Sequence, residues 1–206
     1  MYIRIRGKRS RGMTAKALFR SAAAALLAIA LAAHAVTPED DADIAVGVQQ
    51  NGNRIAIDID IPVKATALET WNVITDYDNM SRFVSSLESS RILERNGNRV
   101  VLYQKGVASR GPLSISFENT REIFLTPPTQ IRSHLISGDF EESDFITRVV
   151  DHGDSTQIIN HGEFIPRIWV PPIIGPLLIK VETRRQFQEL RAEIMRRKTE
   201  AATPGQ

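Results

Sequence analysis

Beyond residue 35 the chain holds three histidines, His134, His152 and His161, the first side chains to weigh as bases, acids or metal ligands. They are scattered over separate strands and turns with no H-x-E, H-E-x-x-H or Cys/His spacing beside them. The sequence therefore predicts no metal site and no cofactor. His134 and His161 stand in apolar strand contexts and read as satisfied wall residues rather than bases, while His152 sits in a turn and reads as solvated. Asp76, Tyr77 and Asp78 form the kind of cluster that ends a helix, so they are cap and turn residues before they are an acid/base pair. A hydrolase or cyclase needs a placed nucleophile or a base of tuned pKa, and no catalytic residue can be assigned here. The remaining candidate is Arg121, which shares the parity of Leu113, Ile115, Phe117 and Asn119. It either turns a guanidinium inward, to hold a carboxylate or quinone oxygen, or emerges at the end of a sheet.

The elements that must position these residues are mostly strands. Ile44, Val46 and Val48, then Asn51-Gly52, then Ile55, Ile57, Ile59 and Ile61 alternate as a β-hairpin with one buried face. The period changes at Thr66 and Glu69, a T-x-x-E capping box, with Leu68, Trp71 and Ile74 on one helical face. Met80 to Leu87 makes a second short helical piece. From Ser90 to Ile165, turn signals recur every dozen or so residues: Asn96-Gly97, Arg110-Gly111-Pro112, Thr126-Pro127-Pro128, Ser137-Gly138-Asp139 and His152-Gly153-Asp154. That spacing predicts an antiparallel meander. The one long helix expected after residue 35 runs from Pro176 to Lys198. Its apolar residues do not form one stripe: Leu177, Leu178 and Val181 fall on one side, and Phe187, Leu190 and Ile194 nearly opposite.

Residues 1–35 join basic residues, an apolar run from Ala22 to Ala33 and a small-x-small site at Ala33-His34-Ala35, and they read as a cleaved secretory signal cut after Ala35. The run is short of the roughly 20 residues that span a bilayer, with an uncleaved anchor the alternative. Met13 opens a tidier signal, so either Met1 or Met13 is the true start. The expected divisions are a signal over 1–35, a linker over 36–43, one domain over 44–198 and a disordered tail over 199–206. Seven of the 26 Lys and Arg lie in the signal and none of the 24 Asp and Glu, so the mature chain carries 19 − 24, about −5, despite a whole-chain pI of 9.1. A mildly acidic, exported body argues against a nucleic-acid partner, the absence of Cys leaves an ordinary core to hold the domain, and the destination expected is the periplasm.

The segment FIPRIWVPPIIGPLL, from Phe164 to Leu178, is apolar and proline-rich with Arg167 as its one charge. Three readings compete for it: a lid over a cavity mouth, a patch touching a membrane or partner, and a core-packing loop.

Trp71-Asn72-Val73-Ile74-Thr75-Asp76-Tyr77-Asp78, followed by Phe83-Val84 and Ser90-Arg91-Ile92-Leu93, resembles the W-x-hydrophobic-hydrophobic-x-D-Y/F block of START-like (SRPBCC) proteins, in particular exported polyketide cyclase/dehydrase or coenzyme Q-binding members. Ser137-Gly138-Asp139-Phe140 resembles that family's G-x-F turn, with Phe145 where many relatives carry a Trp. The resemblance covers roughly Ile44 to Arg197. It implies an α+β helix-grip fold: a curved antiparallel sheet of about seven strands around the long C-terminal helix, with two short helices after the first strands and an apolar cavity between sheet and helix. Tyr103, Phe117, Arg121, Phe145, Trp169, Ile174 and Leu178 are the expected cavity residues. The leading expectation is a non-enzymatic carrier for a hydrophobic small molecule such as a quinone, lipid or polyketide-like compound. The alternatives are an aromatase/cyclase in which His134 or Arg121 moves protons or stabilises an enolate, and an envelope interaction module that uses the Trp169 loop.

Overall fold

The computed structural model describes residues 43–110, 113–172 and 174–203. The signal segment, almost all of the linker and the last three residues of the tail lie outside the described residues. The chain begins with two strands, β1 (Ala45–Asn51) and β2 (Arg54–Val63), joined through Gly52 at φ 61°, the left-handed turn that Asn51-Gly52 announces. Helix α1 (Ala67–Ile74) and a 3₁₀ turn (Tyr77–Arg82) follow. Six more strands complete the sheet: β3 (Leu87–Asn96), β4 (Arg99–Arg110), β5 (Leu113–Thr126), β6 (Gln130–Gly138), β7 (Phe140–Asp151) and β8 (Thr156–Pro166). Helix α2 (Ile174–Ala202) closes the chain.

The strands form one antiparallel sheet in the order β1-β2-β8-β7-β6-β5-β4-β3, so the meander from β3 to β8 is closed onto the first hairpin by the pairing of β2 with β8. There are eight strands where about seven were expected. The architecture is the helix grip, with α2 against the concave face and the two short helical pieces inserted after β2. Helix α2 runs four residues past the expected end at Lys198, so residues 199–202 are helical rather than a disordered tail.

The inward parity of each strand builds the core: Ile44, Ile55, Ile59, Ile61, Val100, Leu102, Ile123, Ile158 and, from α2, Ile194 are buried. The capping box forms as read, with Thr66 N donating to Glu69 Oε2 at 2.8 Å and Glu69 N to Thr66 Oγ1 at 3.3 Å. The buried face of α1 carries Ala67, Thr70, Trp71 and Ile74, whereas Leu68 is 62% exposed and does not join them. The i, i+4, i+7 spacing from Ala67 puts Leu68 a hundred degrees round the helix.

The split stripe of α2 has a structural meaning. Ile194 is fully buried and Phe187 packs on the core, while Leu177 and Val181, nearly opposite, face solvent. Polar contacts fasten the second half. Glu189 accepts from Ser85 N at 2.9 Å and from its hydroxyl at 2.5 Å, Gln186 donates to Ser86 Oγ at 3.0 Å, and Arg197 pairs with Asp76 at 2.8 Å. Helix α2 packs chiefly on β1 and α1 and only lightly on β2 and β4. The concave surface of β5–β8 therefore keeps side chains that solvent still reaches, among them Phe117, Phe145 and Phe164.

Candidate ligand-binding site

Strand register decides which side chains share the concave face. Leu102 pairs with Arg121, Ile123 with Ser133, Ser133 with Phe145 and Phe145 with Gly162, so these residues stand in one layer across β4 to β8. Arg121 is brought inward by the parity of β5, in which Asn119, Ile123 and Leu125 are buried on the same side. Its guanidinium donates to Ser133 Oγ at 3.3 Å and to Ser143 Oγ at 2.8 Å and lies 5.5 Å from the centroid of the Phe145 ring. Burial pulls the Arg121 pKa down to about 10, with the Asp144 charge pulling weakly the other way. Asp144 is no partner for it: its neighbours Ser143 and Phe145 point inward, so it points outward and binds the His134 ring. Arg121 is thus a cation inside the curve of the sheet, held by neutral hydroxyls and one aromatic face.

An aromatic group continues from it. Phe145 stacks with Phe164 at a centroid distance of 6.4 Å, and Phe164 meets Phe140 edge-on at 5.1 Å. Gly162 makes room for Phe145: a Cβ there would lie 2.2 Å from Cδ1 of the ring and 2.5 Å from the backbone oxygen of Asp144. Gly106 does the same for Phe117, whose Cζ would be 2.7 Å from an added Cβ. The layer is not wholly apolar. Asn119 Oδ1, two residues from Arg121, is buried with no hydrogen-bond partner among the described residues, and Asn160 donates to Thr147 Oγ1 at 2.7 Å. The arrangement can hold a flat or extended apolar body against the rings while Arg121 and its two serines receive an oxygen acceptor.

Of the seven expected cavity residues, the structure brings Phe117, Arg121 and Phe145 to the concave face. Leu178 is partly buried on α2. Tyr103 is on the other face, because it pairs with Thr120 and Arg91 while its neighbour Leu102 pairs with Arg121; the Arg91 guanidinium lies 5.1 Å from its ring. Trp169 and Ile174 are also not in the cavity: they are 76% and 54% exposed. Val170 between them turns inward instead, onto Gly175, which leaves the indole outside. The segment is therefore divided, with Phe164 and Val170 packed on the core and Ile168, Trp169 and Ile174 left exposed. Ser133, Ser143, Phe140 and Phe164 were missed, although the inward parities Ile131-x-Ser133 and Ser143-x-Phe145 were available as a signal.

His134 and His161 line the convex face, where a cleft of about 350 Å³ is bordered by Arg54, Arg132, His134, Asp144 and His161. Its charges are matched: His134 binds Asp144, His161 binds Asp58 at 2.6 Å, and Arg54 binds Glu142 at 2.6 Å and Glu163 at 3.2 Å, all well exposed. An acid/base role for His134 inside the cavity is excluded by this placement. His152 is exposed in the turn between β7 and β8. Asp76 is bound to Arg197, Asp78 accepts from Ile92 N at 2.7 Å, and Tyr77 is buried with its phenol pushed above the ordinary pKa by desolvation. Among the described residues no three His, Asp or Glu side chains are grouped to hold a metal ion.

Residues 63–146, from the end of β2 into β7, match the family described as polyketide cyclase / dehydrase and lipid transport. Solved structures share the fold at low identity. The Zhui aromatase/cyclase from Streptomyces sp. R1128 is 15% identical with a TM-score of 0.60, covering 70% of this chain and 95% of its own. A START superfamily protein from Mycobacterium smegmatis is 17% identical with a TM-score of 0.59, over 68% and 97%. A STAR-related lipid transfer protein from Xanthomonas axonopodis is 9% identical with a TM-score of 0.58, over 74% and 99%. No curated protein matches the chain at a significant level of sequence similarity.

Proposed function

We propose, for a chain that matches the polyketide cyclase / dehydrase and lipid transport family over residues 63–146 and folds as a START-like helix grip, a role as a non-enzymatic carrier of an amphipathic small molecule. The ligand has an apolar body and an oxygen-bearing end, as a quinone, lipid or polyketide-like compound has. The observation that carries this reading is Arg121, a desolvated cation on the concave face whose protein partners are two hydroxyls and a ring. Holding such a group costs folding free energy, and an anionic or strongly polar acceptor recovers it on binding. The rings of Phe145, Phe164, Phe140 and Phe117 take the apolar body, at about 25 cal/mol for each Å² removed from water.

The similar structures include a lipid transfer protein and an aromatase/cyclase, so carriage and cyclisation both enter as candidates. Carriage is favoured because no imidazole, carboxylate or amine is hydrogen-bonded to Arg121 among the described residues, and a cyclase needs a proton acceptor beside its enolate stabiliser. Export belongs to the proposal through the signal-like sequence of residues 1–35, and transient membrane contact through the exposed Trp169. The test is native mass spectrometry of the protein from its own envelope, followed by solvent extraction. A stoichiometric lipid, quinone or aromatic acid on a chain beginning at Val36 supports the proposal. An empty protein that turns over a polyketide-like substrate sinks it.

A further inference from the structure

The face of α2 opposite the core, together with the loop before it, is unexplained by the cleft. Ile168, Trp169, Ile174, Leu177 and Val181 are 54%, 76%, 54%, 60% and 36% exposed. Positions 174, 177 and 181 lie within about 60° of one another on the helix, and the next residue along that stripe is Arg184. Three of them share one helical stripe and the other two stand in the loop that leads into it, and exposed large apolar side chains grouped in this way mark a surface that has a partner. The patch is held out rather than left loose: Val170 packs on Gly175, Gln50 donates to Val170 O at 3.2 Å, Gly175 N donates to Pro171 O at 2.8 Å, and Arg167 donates from Nε to Gly138 O at 3.1 Å. From Pro166 to Val181 the charged residues are Arg167 and Lys180, with no Asp or Glu.

We infer that this face is a docking surface for an anionic phospholipid bilayer. The patch is formed by the first turns of a helix and the loop before it, with its large side chains exposed rather than enclosed, which suits a plane rather than a pocket. An indole beside aliphatic chains suits the interfacial zone. The basic residues Arg167, Lys180 and Arg184 sit at its flank while the mature chain as a whole is acidic, so the charge complementarity with anionic headgroups is local to this face. The docking face also adjoins the aromatic layer of the concave face: Phe140 pairs with Pro166, and Phe164 stacks on Phe145 beside Arg121. A ligand leaving the concave face at that end meets the bilayer directly. The inference rests on the carrier reading for its purpose, but not for its test.

The chain has two tryptophans, and Trp71 is buried, so emission changes on adding vesicles report Trp169. The full chain is mixed with vesicles of phosphatidylcholine, with or without phosphatidylglycerol, carrying a brominated lipid as quencher. The expected result is a blue shift and quenching that need phosphatidylglycerol. Leu177→Asp with Ile174→Asp abolishes both, and Lys180→Gln with Arg184→Gln weakens partitioning by roughly five-fold per cation removed. All four side chains are at least partly exposed, and a thermal melt checks that each variant folds. Unchanged Trp169 emission, or partitioning indifferent to both variants, overturns the inference. So does a blue shift that grows with protein concentration in the absence of vesicles, which assigns the face to a second copy of the chain. Occupancy of the Arg121 site, read separately by extraction, can fail while docking stands, and the reverse.

Discussion

Arg121→Met separates a ligand-binding arginine from a structural one. Below about pH 10 the guanidinium is charged in both the folded and the unfolded chain, so its desolvation is a standing cost to the fold. The drop from the ordinary arginine value to about 10, at about 1.36 kcal/mol per pKa unit, puts that cost at about 3 kcal/mol. Methionine of similar length removes it. What is lost in exchange is two hydroxyl hydrogen bonds at about 1 kcal/mol each and the Phe145 contact at about 0.5–1 kcal/mol. The sum is close to zero, so the variant should melt within about 4 °C of the parent. A folded-state pKa lowered by burial penalises the fold wherever the cation persists, and the penalty lifts only as pH rises above about 10 towards the ordinary arginine range. The difference in melting temperature between variant and parent is therefore flat through the neutral range. Binding behaves differently. Lauric acid and methyl laurate, compared by calorimetry, should differ by about 10- to 100-fold in affinity for the parent and not at all for Arg121→Met, the range of one charge-assisted hydrogen bond. A melting temperature lowered by more than about 8 °C makes Arg121 a structural residue. Equal affinity of the parent for acid and ester refutes the reasoning outright.

Gly162→Ala drives a Cβ into the Phe145 ring and the Asp144 carbonyl, so it should cost about 1–3 kcal/mol and weaken laurate binding together, seen in parallel melts and titrations. Glu193 is held at about 2 by hydrogen bonds from Arg196 first and Arg197 second. Because its folded-state pKa lies below the unfolded 4.5, the stability it adds is whole above pH 4.5 and is lost as pH falls towards 2. Glu193→Gln should cost about 1–2 kcal/mol at pH 7, discounted because Arg196 is exposed, and nothing near pH 2, which denaturant melts at the two pH values check. Thr66→Ala opens the capping box of α1 and should cost about 1 kcal/mol in the same assay without altering laurate binding.

The strands, the first turn and the capped first helix were legible because each is a local signal: alternation, Asn-Gly, Thr-x-x-Glu; the second helical piece, expected over Met80 to Leu87, is instead the 3₁₀ turn Tyr77–Arg82, which uses the Asp76–Asn79 cluster read as a turn, and Leu87 already opens β3. The site was legible only in part, because it is built by register. Arg121 follows from the parity of its own strand, but its contact with Ser143 passes through β6, and the offset between those strands is not written in any one of them. Tyr103 went to the wrong face for the same reason. In a strand hydrophobic at both Leu102 and Tyr103, one residue of ambiguity inverts the assignment. The exposed position of Trp169 depended on Gly175, which admits Val170 and so turns the indole outward.

The two halves of α2 divide the labour of the molecule. The half from Gln186 onward is tied down by Ser86, Ser85, Asp76 and the buried Ile194, so it fixes the helix to the body. The half before it shows solvent an apolar stripe that core packing would have consumed. An amphipathic helix with a single job has one stripe; a helix with two nearly opposite stripes has two surfaces to satisfy. Here one is the core and the other is the docking face. Since the anchored half restrains the helix as a rigid lever, movement that opens the cleft is expected at the Pro171–Gly175 end, where the docking face lies. Hydrogen exchange should therefore be faster over 174–181 than over 186–198 in solution, and should slow over 174–181 when phosphatidylglycerol vesicles are added. Uniform protection along the helix in both conditions would mean that the first half is as fixed as the second and that the cleft opens elsewhere.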